Sequence, residues 1–249
     1  MTQLTAVLAD IALLAKPALF NLYFAFASIP IGFLFAIFLA LGKASRHGLL
    51  RRLSSSYIYM FRGSPLFIQF FMIYSMVLAL NLSVWKPLGI DGIVLNPLVL
   101  GPVVLALNTT AYTAEILFGA LTSVPRGEIE AARAFGFSPG TRFRRIVWPH
   151  MIRLAWPAYT KEVVFLFHAT TLVYFTLPVI DDQKDLMTKA GELFQRDFNV
   201  LLHYSVAGLY FLACSLAIFV VSGLIYRRLT RHMPGAAQRW RFTLISPLR

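Results

Sequence analysis

The chain has 249 residues, of which 58% are hydrophobic and only 14% charged, with 22 phenylalanines and a mean hydropathy of +0.68. Soluble domains carry about 25% charged residues, so the composition puts the chain in a membrane and excludes an ordinary soluble enzyme. The net charge of +12 is assigned to loops that orient the chain, not to nucleic acid, and the lone Cys214 excludes an internal disulfide and a cysteine metal site.

The opening MTQLTAVLADIALLAK contains an Asp and no basic start, so it is not read as a cleaved secretory signal. A membrane helix needs roughly 20 mostly apolar residues. Stretches without Asp, Glu, Lys or Arg, at 17–42, 63–85, 92–114, 163–180 and 198–226, predict five transmembrane helices, extended to about 17–42, 57–82, 92–122, 156–178 and 198–226, in one all-α domain covering 1–249. Pro65 is expected to kink the second. The fourth reaches back to Trp156 only if Lys161 and Glu162 lie inside protein. Residues 181–197 are polar and rich in acids, and are read as a short external helix or loop.

Basic residues give the orientation. Seventeen of the 23 Lys and Arg follow spans one, three and five or open span two, from Lys43 to Arg62, Arg126 to Arg153 and Arg227 to Arg249. That asymmetry predicts an external N-terminus and a cytoplasmic C-terminus. The loop at 123–150 is then cytoplasmic. Its segment GEIEAARAF favours a helix, because Glu128 and Glu130 suit the positive N-terminal end and Ala131, Ala132 and Ala134 are strong helix formers. Gly136 suits a C-terminal stop. Ser138 before Pro139 signals a cap and first turn, with a second helix from about 140 to 148 that Pro149 interrupts. By pattern alone the pair fits either anionic lipid, held by Arg142, Arg144 and Arg145, or a protein partner.

The segment EIEAARAFGFS…RIVWP resembles the EAA motif of the permeases of binding-protein-dependent ABC importers, with Glu130-Ala131-Ala132, Gly136 and Pro149 at matching distances. RGSPLFIQFFMIY, residues 62–74, is similar to the signature of the polar amino acid uptake branch. LAWPAYTKEVVFLFHATTL resembles the M-type permeases of histidine/lysine/arginine/ornithine and opine transporters, although Lys161 stands where Asn is usual. The resemblance implies a type I ABC importer permease fold in a bacterial inner membrane. It implies that Glu128, Glu130, Ala131, Ala132, Arg133, Gly136, Phe137 and Ser138 form a coupling helix seated on an ATPase. The chain itself has no G-x-x-x-x-G-K-[ST] phosphate loop. ATP and Mg are therefore expected on two partner ATP-binding cassette subunits, beside a sister permease and an external solute-binding protein.

Ionisable groups in a membrane segment are functional candidates. Asn108, Tyr112 and Glu115 are spaced to share one helix face, flanked by Thr109 and Thr113. By resemblance, Glu162 is the carboxylate expected to meet a cationic side chain, with Asn108, Thr109 and Tyr112 for the α-carboxylate and α-amine. Glu115 is a further candidate, and Arg62 and Gln69 are read seven residues apart on one face of the second span. Against these readings stand helix packing, where Asn, Thr and Tyr bond between helices, and pairing of Glu115 or Glu162 with Lys161. His168 is read as either packed or ligating. No catalytic or metal residue is assigned. The function expected is half of the pathway of an ATP-driven importer of basic amino acids or opines. The alternatives are an ATP-independent secondary transporter, against which the missing internal repeat speaks, and a membrane-embedded enzyme.

Overall fold

The computed structural model describes residues 3–179 and 183–231, and every regular element among them is helical. Helix α1 (Gln3–Lys43) runs 41 residues. At ~1.5 Å per residue it is about 60 Å long, twice the ~30 Å hydrocarbon core. Its start lies well before the expected 17, with Pro17 and Pro30 both inside the helix. Prolines are tolerated there because neighbouring helices re-satisfy the freed carbonyls.

The second predicted span is two helices. α2 (Gly48–Gly63) and α3 (Leu66–Ala79) meet at an angle of 108°. The cause is local: Ser64 precedes Pro65, and steric clash with the proline ring drives it extended, at φ −116° and ψ 141°. A π-helical turn (Asn81–Trp85) and the single turn α4 (Asp91–Val94) come next. α5 (Pro97–Thr122) starts at an Asn96 cap whose side chain accepts from the Leu98 amide, with Pro97 in the first turn.

In the polar loop, α6 (Arg126–Ala134) ends as its sequence suggests. Gly136 takes φ +75°, its amide reaching the Arg133 carbonyl and the Phe137 amide reaching Ala132. That pair of bonds is a Schellman cap, which needs the left-handed conformation that glycine adopts freely. Ser138 caps α7 (Pro139–Arg142) through the Thr141 amide. Pro149 does not interrupt the helical path as expected. A π-helical stretch (Phe143–Val147) leads directly into α8 (Trp148–Ala169), and its wider turn lets a residue without an N–H sit in the first turn of that helix.

The fourth predicted span also breaks. Thr170 and Thr171 separate α8 from α9 (Leu172–Thr176), and the Thr170 hydroxyl accepts from Asn21 of α1 at 2.8 Å. The predicted polar helix is α10 (Leu186–Asp197); Asp181 and Asp182 lie outside the described residues. α11 (Val200–Thr230) matches the fifth prediction within a turn. By length and apolar composition, α1, α5 and α11 suffice to cross a membrane, and the bent α2–α3 pair, as a broken span or a re-entrant loop, passes the same standard only when taken together. α8 falls short of that standard, carrying Arg153, Lys161 and Glu162 along its length.

α1 and α5 are the central pair, with α8 and α2 on α5 and α10 and α11 on the N-terminal half of α1. Alanines dominate the middle cluster of the core, where Ala36, Ala40, Ala114, Ala120 and Ala155 surround Leu117 and Met151. Small residues let membrane helices approach closely, and dispersion contacts then hold them. Gly32 is a point of close approach, since a Cβ there would overlap the Thr109 methyl and lie 3.3 Å from the Ala106 carbonyl. Gly32→Val is therefore expected to destabilise the protein by about 1–3 kcal/mol through overpacking, read as a lowered midpoint of thermal unfolding in detergent. Gly119→Ala, where a Cβ meets open space, is the matched control and should leave the midpoint unchanged or higher. Equal midpoints for Gly32→Val and the native protein would contradict the close approach.

Candidate functional site

The middle of α5 is polar and buried, its polar groups facing three different neighbours. Asn108, Thr109, Thr110 and Thr113 are each at most 4% exposed, between α1, α3 and α8. Uncompensated polar groups are costly in such a place, so their partners matter. The Thr109 hydroxyl donates to Oε1 of Glu162 on α8 at 2.9 Å, and Glu162 is itself buried. The Asn108 amide donates to Oε1 of Gln69 on α3 at 2.9 Å. Thr110 bonds the Ala106 carbonyl one turn back at 2.6 Å. The Thr113 hydroxyl has no hydrogen-bond partner among the described residues.

Gln69 closes the break between α2 and α3. Its Nε2 donates to the Phe61 carbonyl at 2.7 Å and to the Ser64 carbonyl and hydroxyl at 2.9 Å each. Arg62 and Gln69 thus do not share a helix face as expected, because the bend falls between them. Gln69 bonds instead to Phe61 and Ser64, the residues on either side of Arg62 and Gly63. A carbonyl at a broken helix end lacks its intrahelical donor, and a primary amide with two N–H groups supplies the need.

Further toward the end of α5, Asn108, Tyr112 and Glu115 do share a face, toward α2 and α3. Arg62 lies over the Tyr112 ring, with its guanidinium carbon 5.5 Å from the centroid. Glu115 pairs with Lys43 of α1 at 2.5 Å and stands 3.7 Å from Arg62 Nη1. The expected alternative, that Lys161 neutralises Glu115 or Glu162, is not what the structure has. Lys161 is exposed on the outer side of α8 and forms no ion pair among the described residues, whereas the adjacent Glu162 faces inward. Helical geometry separates neighbours by about 100°. His168 also faces outward, bonded to the Ser215 hydroxyl of α11 at 2.8 Å, which makes it a packing contact.

Three features escaped the sequence reading. Lys43 counted there only as an orienting charge. Phe135, at the end of α6, is 82% exposed, an aromatic left open on a polar segment where Ala132 is buried instead of presented. The third is a cluster around α10. His203 of α11 bonds Asp10 of α1 at 2.5 Å through Nδ1 and Asp197 at 2.7 Å through Nε2. Asn21 bridges Thr170 and the Leu186 amide. On α10 the hydrogen bond from Lys184, reinforced by Lys189, holds the Glu192 carboxyl below its ordinary 4.5. Burial pushes the Asp185 carboxyl up, against bonds from Thr188. Glu192 thus favours the folded state above the ordinary carboxylate range and loses that contribution as pH falls, while Asp185 acts in the opposite sense.

Taken together, the arrangement is a buried polar seam through a bundle of apolar helices, with an ordered and exposed polar helix pair at one end. Residues 17–233 match the family of binding-protein-dependent transport system inner membrane components. The histidine/lysine/arginine/ornithine transport system permease protein HisM of Salmonella typhimurium strain LT2 is 33% identical over 214 residues, covering 86% of this chain and 88% of HisM. The nopaline transport system permease protein NocM of Agrobacterium fabrum strain C58 is 35% identical over 205 residues, covering 82% of this chain and 81% of NocM. A crystal structure of an amino acid ABC transporter with histidines superposes with a TM-score of 0.74 at 24% identity, covering 92% of this chain and 99% of that one. With a helical bundle of that fold and a family match over most of its length, this chain belongs to the binding-protein-dependent transport system inner membrane components.

Proposed function

We propose that the chain forms half of the translocation pathway of an ATP-driven importer for basic amino acids or opines, and that Glu162 receives the cationic part of the substrate. The observation that carries this reading is the buried Glu162 carboxylate, held by Thr109 and with no cation in an ion pair with it among the described residues. An acid kept in such a place without a partner is costly unless a cation visits it. HisM and NocM are named for basic amino acids and for nopaline, which supports a cationic substrate.

In this reading α1, the α2–α3 pair, α5, α8 with α9, and α11 are the five spans, the N-terminus is external and α10 is an external helix. The exposed α6 segment, from Glu128 and Glu130 through Ala131, Arg133, Gly136, Phe137 and Ser138, seats on an ATP-binding cassette subunit. That subunit, in two copies, binds ATP and Mg and performs the hydrolysis; this chain performs none. A sister permease completes the pore, and an external binding protein delivers the substrate. ATP binding and hydrolysis then shift the pore between discrete packings.

The test begins with the tagged chain, extracted gently from native membranes and identified with its companions by mass spectrometry. An ATPase subunit and a sister permease are expected, and the reconstituted complex should take up labelled arginine only with ATP and the binding protein. A chain that is stable alone and moves arginine without ATP would establish the secondary-transporter alternative instead.

A further inference from the structure

A basic amino acid carries an α-carboxylate as well as its cationic groups, and a buried site must meet both charges. Among the neutral donors of the seam Thr109 and Asn108 already serve neighbours, and the Thr113 hydroxyl, without a hydrogen-bond partner among the described residues, brings no charge to balance a carboxylate. Thr109 has one hydroxyl proton, and it goes to Glu162. Asn108 donates to Gln69, and the Tyr112 hydroxyl reaches only the Arg62 carbonyl, at 3.5 Å.

The cations differ from one another. Lys43 is committed to Glu115 at 2.5 Å. Arg62 stands 3.7 Å from the same oxygen, beyond hydrogen-bond reach, and its guanidinium makes no hydrogen bond among the described residues. With Glu115 satisfied by Lys43, Arg62 is the surplus positive charge of the seam. Its planar fork of five N–H groups matches a carboxylate bidentately. Thr109, which holds Glu162, and Tyr112, which lies under Arg62, are three residues apart on α5, so the acid and the guanidinium are met within one turn of the same helix.

Building on the proposed role of Glu162, we infer that Arg62 is the receptor for the substrate's α-carboxylate, and that Lys43 keeps Arg62 available by occupying Glu115. Glu115 is then a positioning residue for Arg62 and does not touch substrate. Arg62 selects zwitterions over plain cations, so the site takes α-amino acids with a cationic side chain and discriminates against simple amines.

The experiment uses the purified complex with its ATPase and sister permease, without the binding protein. It measures by calorimetry the binding of L-arginine and of agmatine, which is arginine without its carboxylate. The native complex is expected to prefer arginine at least tenfold. Arg62→Gln should abolish the preference for arginine without weakening agmatine, whose retained or tighter binding also reports an intact fold. Should that variant fail to assemble, Arg62→Lys carries the test: it keeps the charge, loses the fork, and should reduce arginine affinity three- to tenfold with agmatine unaffected. An arginine preference that persists in the Arg62 variants, or is absent from the native complex, overturns the assignment. Glu162→Gln separates the two readings, because it should weaken both ligands together. If it weakens neither, the proposed role of Glu162 fails, whatever Arg62 does.

Discussion

Glu162→Gln is expected to reduce uptake of a cationic amino acid by roughly 10- to 150-fold at substrate concentrations below saturation. The figure comes from the about 1.5–3 kcal/mol that a hydrogen bond to a charged group contributes and the tenfold per 1.4 kcal/mol of affinity. The substitution is nearly isosteric, and its carbonyl oxygen still accepts from Thr109, which donates to Oε1 at 2.9 Å in the native protein. Packing of α5 on α8 should therefore survive, and only the negative charge is lost. The measurement is ATP-driven uptake of labelled arginine in proteoliposomes over a range of substrate concentrations, with complex assembly checked by gel filtration. Uptake matching the native protein at low substrate would remove Glu162 from the site.

The second large effect lies at the other end of the molecule. Phe135→Glu is expected to weaken association with the ATPase subunit at least 30-fold. Large aromatics account for much of the energy of interfaces, with about 2 kcal/mol or more lost on truncation of a hot spot. An aromatic ring 82% exposed at the end of a short polar helix has no role in folding that would explain its retention there. The neighbouring Gly136 cap fixes where α6 ends, since its two backbone bonds terminate the helix at a defined residue. Titration of the detergent-solubilised permease pair with labelled ATPase subunit gives the affinity directly. Native affinity in the variant, with unchanged thermal stability, would show that the docking surface lies elsewhere.

Much of the fold is written locally in the chain. The Gly136 stop and the Ser138 cap arise from backbone preferences within a few residues. The shared face of Asn108, Tyr112 and Glu115 arises from helical periodicity. Failures of the reading have long-range causes. The break at Thr170 is stabilised by Asn21, 149 residues away, and no local pattern announces it. Pro65 was legible as a kink, but its 108° size was not, although its cause at Ser64-Pro65 is local and Gln69 bonds both carbonyls of the break. Pro17 misled in the other direction, because a proline that would start a helix in water is carried inside α1 by its neighbours. Within the site, the residue types were visible while their pairing was not. Lys43 and Lys161 are equally charged in the sequence, and only the side of the helix each occupies decides which one meets an acid.

Gln69 has a mechanical consequence. Its amide nitrogen holds α3 to the end of α2, and its oxygen holds α3 to α5 through Asn108. Three helices are thereby pinned through one planar group whose two ends turn together. If α3 swings about the break, the oxygen leaves Asn108 as the nitrogen leaves Phe61, so the hinge angle and the distance between α3 and α5 are a single coordinate. At about 0.5–1.5 kcal/mol net for each hydrogen bond, that coordinate is stiff to thermal jostling, yet it yields to a load of a few kcal/mol.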